Sequence, residues 1–163
     1  MIISGNTKMT SYFYTKNDVG YLEFHTYVKL ENFTIPSNWT ATNGYGVWVA
    51  FAWGQNTDGF ACYVNITLNA TTDKFSCSDI TINSTTYSVS ADPIQNGMME
   101  PKYTNTSYNI SGTNKYLTYW SHFMRNMSDG DPADYVISNG EKLMISAVYG
   151  TTKGGVDRKK HNV

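Results

Sequence analysis

The chain has 163 residues, one domain of ordinary size, and at that length about 70% of the unfolded surface is buried on folding, so a core forms without metals or many disulfides. Forty per cent of the residues are hydrophobic and 15% are aromatic, which excludes a disordered chain. Charged residues are only 15% and the formal net charge is −1, which leaves no basic footprint for nucleic acid.

No internal repeat or linker divides the chain, so a single domain is expected over residues 1–163, with 1–10 as an N-terminal extension and 151–163 as a C-terminal tail. Ser11-Tyr12-Phe13-Tyr14-Thr15 reads as a first strand, closed by a turn at Lys16-Asn17-Asp18. Over residues 21–30, Leu22, Phe24, Val28 and Leu30 fall on one side and Glu23, His25 and Lys29 on the other, the pattern of a half-buried antiparallel strand. Residues 46–54 form an apolar run bounded by glycines, which suits a central strand buried on both faces. Residues 61–68 alternate Val64, Ile66 and Leu68 with Asn65 and Thr67. After a turn at Ala70-Thr71-Thr72-Asp73, a strand over 75–82 is expected to turn Ile80 and Ile82 inward and Thr81 outward, with Asn83 beyond it also outward. Further strands are read at 108–110, 116–124 and 142–149, separated by Asn96-Gly97, Gly112-Thr113-Asn114, Asp129-Gly130-Asp131-Pro132 and Asn139-Gly140. No long segment carries a 3.6-residue period. Short strands at this spacing predict an all-β, antiparallel sandwich or barrel.

Asn-x-Ser/Thr acceptor sequons stand at Asn32, Asn38, Asn65, Asn69, Asn83, Asn105, Asn109 and Asn126. Chance placement of this composition gives roughly three or four such motifs. The excess points to N-glycans and a secreted, extracellular or cell-surface protein. Asn65 and Asn69 are four residues apart, as are Asn105 and Asn109, so each pair shares one side of an extended strand. That parity predicts a sugared sheet face. Cys62 and Cys77 flank a hairpin and read as a disulfide, with two buried thiols as the alternative. No stretch approaches 18 apolar residues, so no transmembrane helix is expected. Met1-Ile2-Ile3-Ser4-Gly5-Asn6 lacks the basic flank and apolar region of a signal peptide, so the chain reads as a mature product or a piece of a longer precursor. Arg158-Lys159-Lys160 reads as a solvated tail or a basic processing site.

No catalytic set is legible. His25, His122 and His161 have no metal-ligand spacing, and neither a Cys-x-x-Cys pair nor a Gly-x-Ser-x-Gly elbow is present. Asp129, Asp131 and Asp134 beside Gly130 offer oxygen ligands for calcium, but the spacing of a calcium-binding loop is missing. They read as a polar turn, and no metal site is assigned. Trp39, Trp48, Trp53 and Trp120, with the tyrosines, suit a sugar-stacking platform or a core. Met98, Met99, Met124 and Met127 read as gap-fillers rather than soft ligands.

Three stretches together resemble the DOMON family. They are Gly46-Val47-Trp48-Val49-Ala50-Phe51-Ala52-Trp53-Gly54, then residues 123–137 with Phe123, Arg125, Asp131, Asp134 and Ile137, then Asn139-Gly140 and residues 144–150 followed by His161. The resemblance covers roughly residues 11–161 and implies an extracellular Ig-like sandwich of about ten or eleven strands. It implies haem b binding through a Met and a His, sugar binding, or adhesion. His161 stands at the family's histidine, whereas residues 55–62, where the methionine belongs, contain none. The chain is therefore expected to be no enzyme but a structural or adhesive module, self-assembling through strand edges into a coat or filament and bearing covalent N-glycans. A haem b cytochrome domain and a carbohydrate-binding module are the alternatives.

Overall fold

The computed structural model describes residues 2–4, 7–18, 21–40, 42, 45–54, 58–83, 85, 88–126, 130–132, 134–138, 140–153 and 157–158. The described residues form β1 (Ile2–Ser4), β2 (Thr7–Asp18), β3 (Tyr21–Ile35), β4 (Tyr45–Trp53), β5 (Asp58–Asn65), β6 (Lys74–Asn83), β7 (Ser88–Ala91), β8 (Met98–Met99), β9 (Asn105–Ser111), β10 (Asn114–Asn126), β11 (Ser146–Lys153) and β12 (Asp157–Arg158), with a short 3-10 turn at Pro101–Tyr103. All pairings are antiparallel. One sheet runs β1-β2-β3-β10-β8, with β9 also on β10, and the other runs β12-β11-β4-β5-β6-β7. The protein is an all-β antiparallel sandwich. Among the described residues no helix is long and apolar enough to cross a membrane.

Alternation builds the core. Phe24, Val28 and Leu30 of β3 and Leu117, Tyr119 and Phe123 of β10 face Val47, Val49, Phe51 and Trp53 of β4 and Phe60, Cys62 and Val64 of β5. Rings meet across the gap, Phe24 edge-on to Trp53 at 5.3 Å and Phe60 stacked on Phe123 at 4.4 Å. Each such side chain contributes roughly 1.5–3 kcal/mol by leaving water. The run over 46–54 is buried on both faces through most of its length, as its apolar composition requires.

Several boundaries differ from the sequence expectation. β2 starts at Thr7 and ends at Asp18, so part of the expected extension lies in the sheet, with Met9 in the core, and Lys16-Asn17-Asp18 is strand rather than turn. β3 runs past Leu30 because a bulge resets its alternation. Leu30 registers with Tyr119 and Phe33 with Leu117, so Glu31 and Asn32 share one partner position. Asn32 has φ 54°, in the left-handed region that Asn tolerates better than most residues. β5 stops at Asn65, and Leu68, with φ 62°, turns the chain. The last long strand begins at Ser146 rather than Lys142 and runs through residues 151–153 of the expected tail.

The largest correction concerns β6. Cys62 and Cys77 are direct cross-strand partners and form the disulfide. Cross-strand partners share a face, so Phe75, Cys77, Asp79 and Thr81 face between the sheets with Phe60 and Cys62. Ile80 and Ile82 lie on the opposite face, not between the sheets as their hydrophobicity suggests, yet Ile80 is buried there at 2% exposure and Ile82 is half-buried. A one-residue difference in parity exchanges every side chain between the two faces. Asp79 is thereby carried into the interior, where Arg125 of β10 also points. Arg125 lies over the Trp53 ring at 5.1 Å, and its Nη2 donates to the Tyr135 carbonyl at 2.8 Å. Asp58 Oδ2 accepts from Trp53 Nε1 at 2.9 Å and from the Tyr135 amide at 2.7 Å, fastening the loop after β10 to β5.

Candidate functional site

One side of the sandwich ends in two strand edges. β1 registers only with Thr7 and Lys8 of β2, so over residues 10–15 β2 has β3 as its one strand neighbour among the described residues. On the facing sheet, β12 registers only with Thr152 and Lys153 of β11, so residues 146–151 have β4 alone. Between the two edges lies an open cleft of about 270 Å³ lined by Met9, Thr10, Ser11 and Ala147.

Residues 10–15 contain no charge and no proline. Tyr12, Phe13 and Tyr14 are 46%, 51% and 42% exposed, three successive aromatics in water. Register places Phe13 opposite Thr26, on the core-facing side, where its ring meets Phe24 at 5.8 Å and the sheet ends before covering it. Tyr12 and Tyr14 lie on the outer face opposite Tyr27 and His25.

That outer face carries a ladder of parallel rings. Tyr12 stacks on Tyr27 at 4.7 Å, and Tyr27 on His122 at 4.1 Å. Tyr14 stacks on His25 at 4.7 Å, and Tyr103 closes edge-on against His122 at 5.8 Å. A polar chain threads it. His25 Nε2 meets Glu23 Oε2 at 2.9 Å, and His25 Nδ1 meets His122 Nε2 at 3.1 Å. His122 Nδ1 then stands 2.9 Å from Glu100 Oε2, at an angle that leaves that nitrogen without an aligned hydrogen bond. Burial pulls His122 below the ordinary imidazole value of 6.5, and Glu100 works against this while His25 adds to it. Burial also pushes the Tyr27 phenol above its ordinary range, which keeps it neutral. The ladder packs the outer rings of β2 against Tyr27 and His25 of β3. Parity alone places His25 outward in the sequence; that His122 meets it needs the pairing of β3 with β10, which no local pattern reveals.

The expected modification sites differ in exposure. Asn32, Asn38, Asn69, Asn83, Asn105 and Asn109 are exposed, and Asn65 and Asn126 are half-buried. Asn105 and Asn109 alternate with inward-facing Thr106 and Tyr108 on β9, as the spacing implies. Asn65 ends β5, whereas Asn69 lies in the following turn, where its Oδ1 accepts from Thr71 N at 3.1 Å and Thr71 Oγ1 at 2.9 Å. Of the tryptophans, Trp39, Trp48 and Trp53 are buried, and Trp120 is half-buried under Lys29 at 5.4 Å. Among the described residues the exposed rings are therefore Tyr12, Phe13, Tyr14 and Tyr103. Met98 is exposed and Met99 half-buried on β8, paired with Met124 and Phe123. His161, Asp129 and Met127 lie outside the described residues. No family model, curated protein or solved structure matches the chain.

Proposed function

We propose that the chain is a non-catalytic, N-glycosylated extracellular module that acts as a structural or adhesive subunit and associates with a second copy of itself through the β2 edge. One observation carries this reading: an uncharged strand edge with three successive exposed aromatics. Sheet proteins normally guard an edge with lysine, proline, a bulge or a short strand, and residues 10–15 have none of these. A second β2 pairing there supplies backbone partners and covers Phe13. The disulfide and the exposed sequons support an extracellular setting. We further read the sandwich as a divergent DOMON-like domain, a reading supported by the contact of Arg125 with Asp134 at 3.1 Å within the second resembling stretch.

Light scattering on the glycosylated chain across a concentration series tests the association. The expected result is concentration-dependent self-association, reduced at least tenfold by Phe13→Lys, which places a charge on the edge at a half-exposed position, with far-UV circular dichroism checking that the variant keeps its fold. A wild-type chain that stays monomeric at about 100 μM, weak even by the standard of transient complexes, overturns the reading. So does a Phe13→Lys chain that associates as the wild type does.

A further inference from the structure

A second feature lies between the sheets and the loop after β10, away from the open edges. Asp92 follows β7, and Asp131 and Asp134 lie in the loop. One carboxylate oxygen from each lies within 4.8 Å of the others, and Asp134 is likewise within 4.8 Å of Asp58 and Asp79. Asp92 is 5% exposed and Asp131 8%. Arg125 Nη1 is shared, 3.1 Å from Asp58 Oδ2, 3.1 Å from Asp134 Oδ1 and 3.9 Å from Asp79 Oδ1. Asp92 takes only neutral hydrogen bonds, from Thr81 Oγ1 at 3.0 Å and the Ile94 amide at 3.0 Å.

Two further buried acceptors stand beside this triad, each next to Asp134. Asp79, on β6, is 1% exposed, and both of its carboxylate oxygens are buried without a hydrogen bond. Asn96 Nδ2 donates to Asp134 Oδ2 at 2.8 Å, which aims its amide at the cluster, while its own Oδ1 is buried without a hydrogen bond. Buried acceptors are almost always hydrogen-bonded, and Asp79 has only the distant Arg125 Nη1, at 3.9 Å, to offset its burial. Oxygens less than 4.8 Å apart fit the first shell of calcium, whose ligands stand at roughly 2.3–2.6 Å. The donors are all oxygen, with no imidazole or thiolate, which selects a hard cation over zinc or copper. A loop-borne carboxylate set suits the flexible coordination of calcium better than the strict octahedron of magnesium.

We propose that Asp92, Asp131 and Asp134, with the Asn96 amide oxygen and Asp79 behind them, bind a calcium ion that ties the loop after β10 to the β6–β7 end of the sandwich. Extracellular calcium modules bind at about 10⁻⁴–10⁻³ M. Calcium at 10 mM then raises the unfolding midpoint by roughly 3–10 °C.

Terbium provides a reading that does not depend on stability. Trp53, hydrogen-bonded to Asp58 at the cluster, is placed to sensitise emission from a lanthanide bound there. The intact glycosylated chain, stripped with EDTA, is titrated with TbCl₃ under tryptophan excitation and then with CaCl₂. Saturable emission displaced by calcium is expected, with affinity weakened at least tenfold in Asp131→Asn and unchanged in Glu31→Gln, a distant surface control. Asp92→Asn serves as a second variant should Asp131→Asn fail to fold. Absence of saturable emission, emission that calcium does not displace, or affinity that survives both Asp131→Asn and Asp92→Asn overturns the proposal.

Discussion

Asp79 shows what one side chain does when register rather than hydrophobicity decides its face. Burial pushes its carboxyl up to about 7, Arg125 pulls it down, and Asp134, Asp58 and Asp92 push it further up. The folded chain therefore holds this proton more tightly than the unfolded chain. Its contribution to stability is fully present below the unfolded value of 3.8 and is lost as pH rises through about 7. His122 works in the opposite sense. Its folded value lies below 6.5, so its contribution is present above 6.5 and is lost as pH falls toward the lower folded value. The two slopes oppose each other just below pH 6.5, and the wild type is expected to change less with pH there than either group alone would make it. Asp79→Asn removes one of them. A tenfold difference in proton affinity is about 1.4 kcal/mol, so in EDTA the variant gains at least about that much stability at pH 8. It also uncovers a loss on acidification below pH 6.5 that His122→Gln abolishes. Urea unfolding at pH 5, 6.5 and 8 checks this, and a variant destabilised at pH 8 rules it out. None of it is legible in the sequence, where Asp79 stands beside Ile80 and hydrophobicity assigns the isoleucine to the core.

At the scale of the strand, legibility follows how completely one face is apolar. β3 was readable because Phe24, Val28 and Leu30 are buried while Glu23 and Lys29 are not. The bulge at Asn32 was not, since a left-handed asparagine leaves no periodic trace and breaks the spacing between Leu30 and Phe33. The uncharged aromatic stretch of β2 was readable as an edge, but its length was not, because Lys8 and Lys16 mask strand character with solvated charge. β6 carries isoleucines on one face and Phe75, Cys77 and Asp79 on the other, so composition does not reveal its orientation, whereas the Cys62–Cys77 pairing does. Closing a loop with a sequence separation of 15 residues is worth roughly 3 kcal/mol by restricting the unfolded chain. Reduction, or Cys62→Ala with Cys77→Ala, is expected to cost about that much in denaturant unfolding and to leave the β5–β6 register in place. The remaining β4–β5 and β6–β7 pairings and the Phe60–Phe123 stack hold that register independently. Amide exchange of β6 that becomes as fast as that of the loops after reduction would show that the disulfide, not packing, sets the strand.

Over the whole molecule the two sides of the sandwich are unequal, and this sets what kind of assembly forms. β9 lies at the edge opposite β2, and its outer face carries the sequons Asn105 and Asn109; Asn83 ends β6 where it meets β7. Glycans on these asparagines would crowd both edges of that side. Residues 10–15 and 146–151 contain no sequon. A formal net charge of −1 gives little long-range repulsion to keep copies apart, so in the proposed association sugars and edge geometry would decide the outcome. An edge bare on one side only meets another copy of itself, and a contact of identical patches about a two-fold axis closes at two. Open-ended growth needs a second, different edge. The glycosylated wild type is therefore expected to stop at a dimer through β2. Asn105→Gln with Asn109→Gln exposes β9 and adds a head-to-tail contact between β2 and β9. Light scattering and negative-stain images of the double variant are then expected to show particles that lengthen with concentration, and Phe13→Lys in the same background returns it to monomer. Wild-type chains that already form filaments would mean that the glycans do not guard β9. A double variant that remains dimeric would mean that β9 is no partner for β2 even when bare.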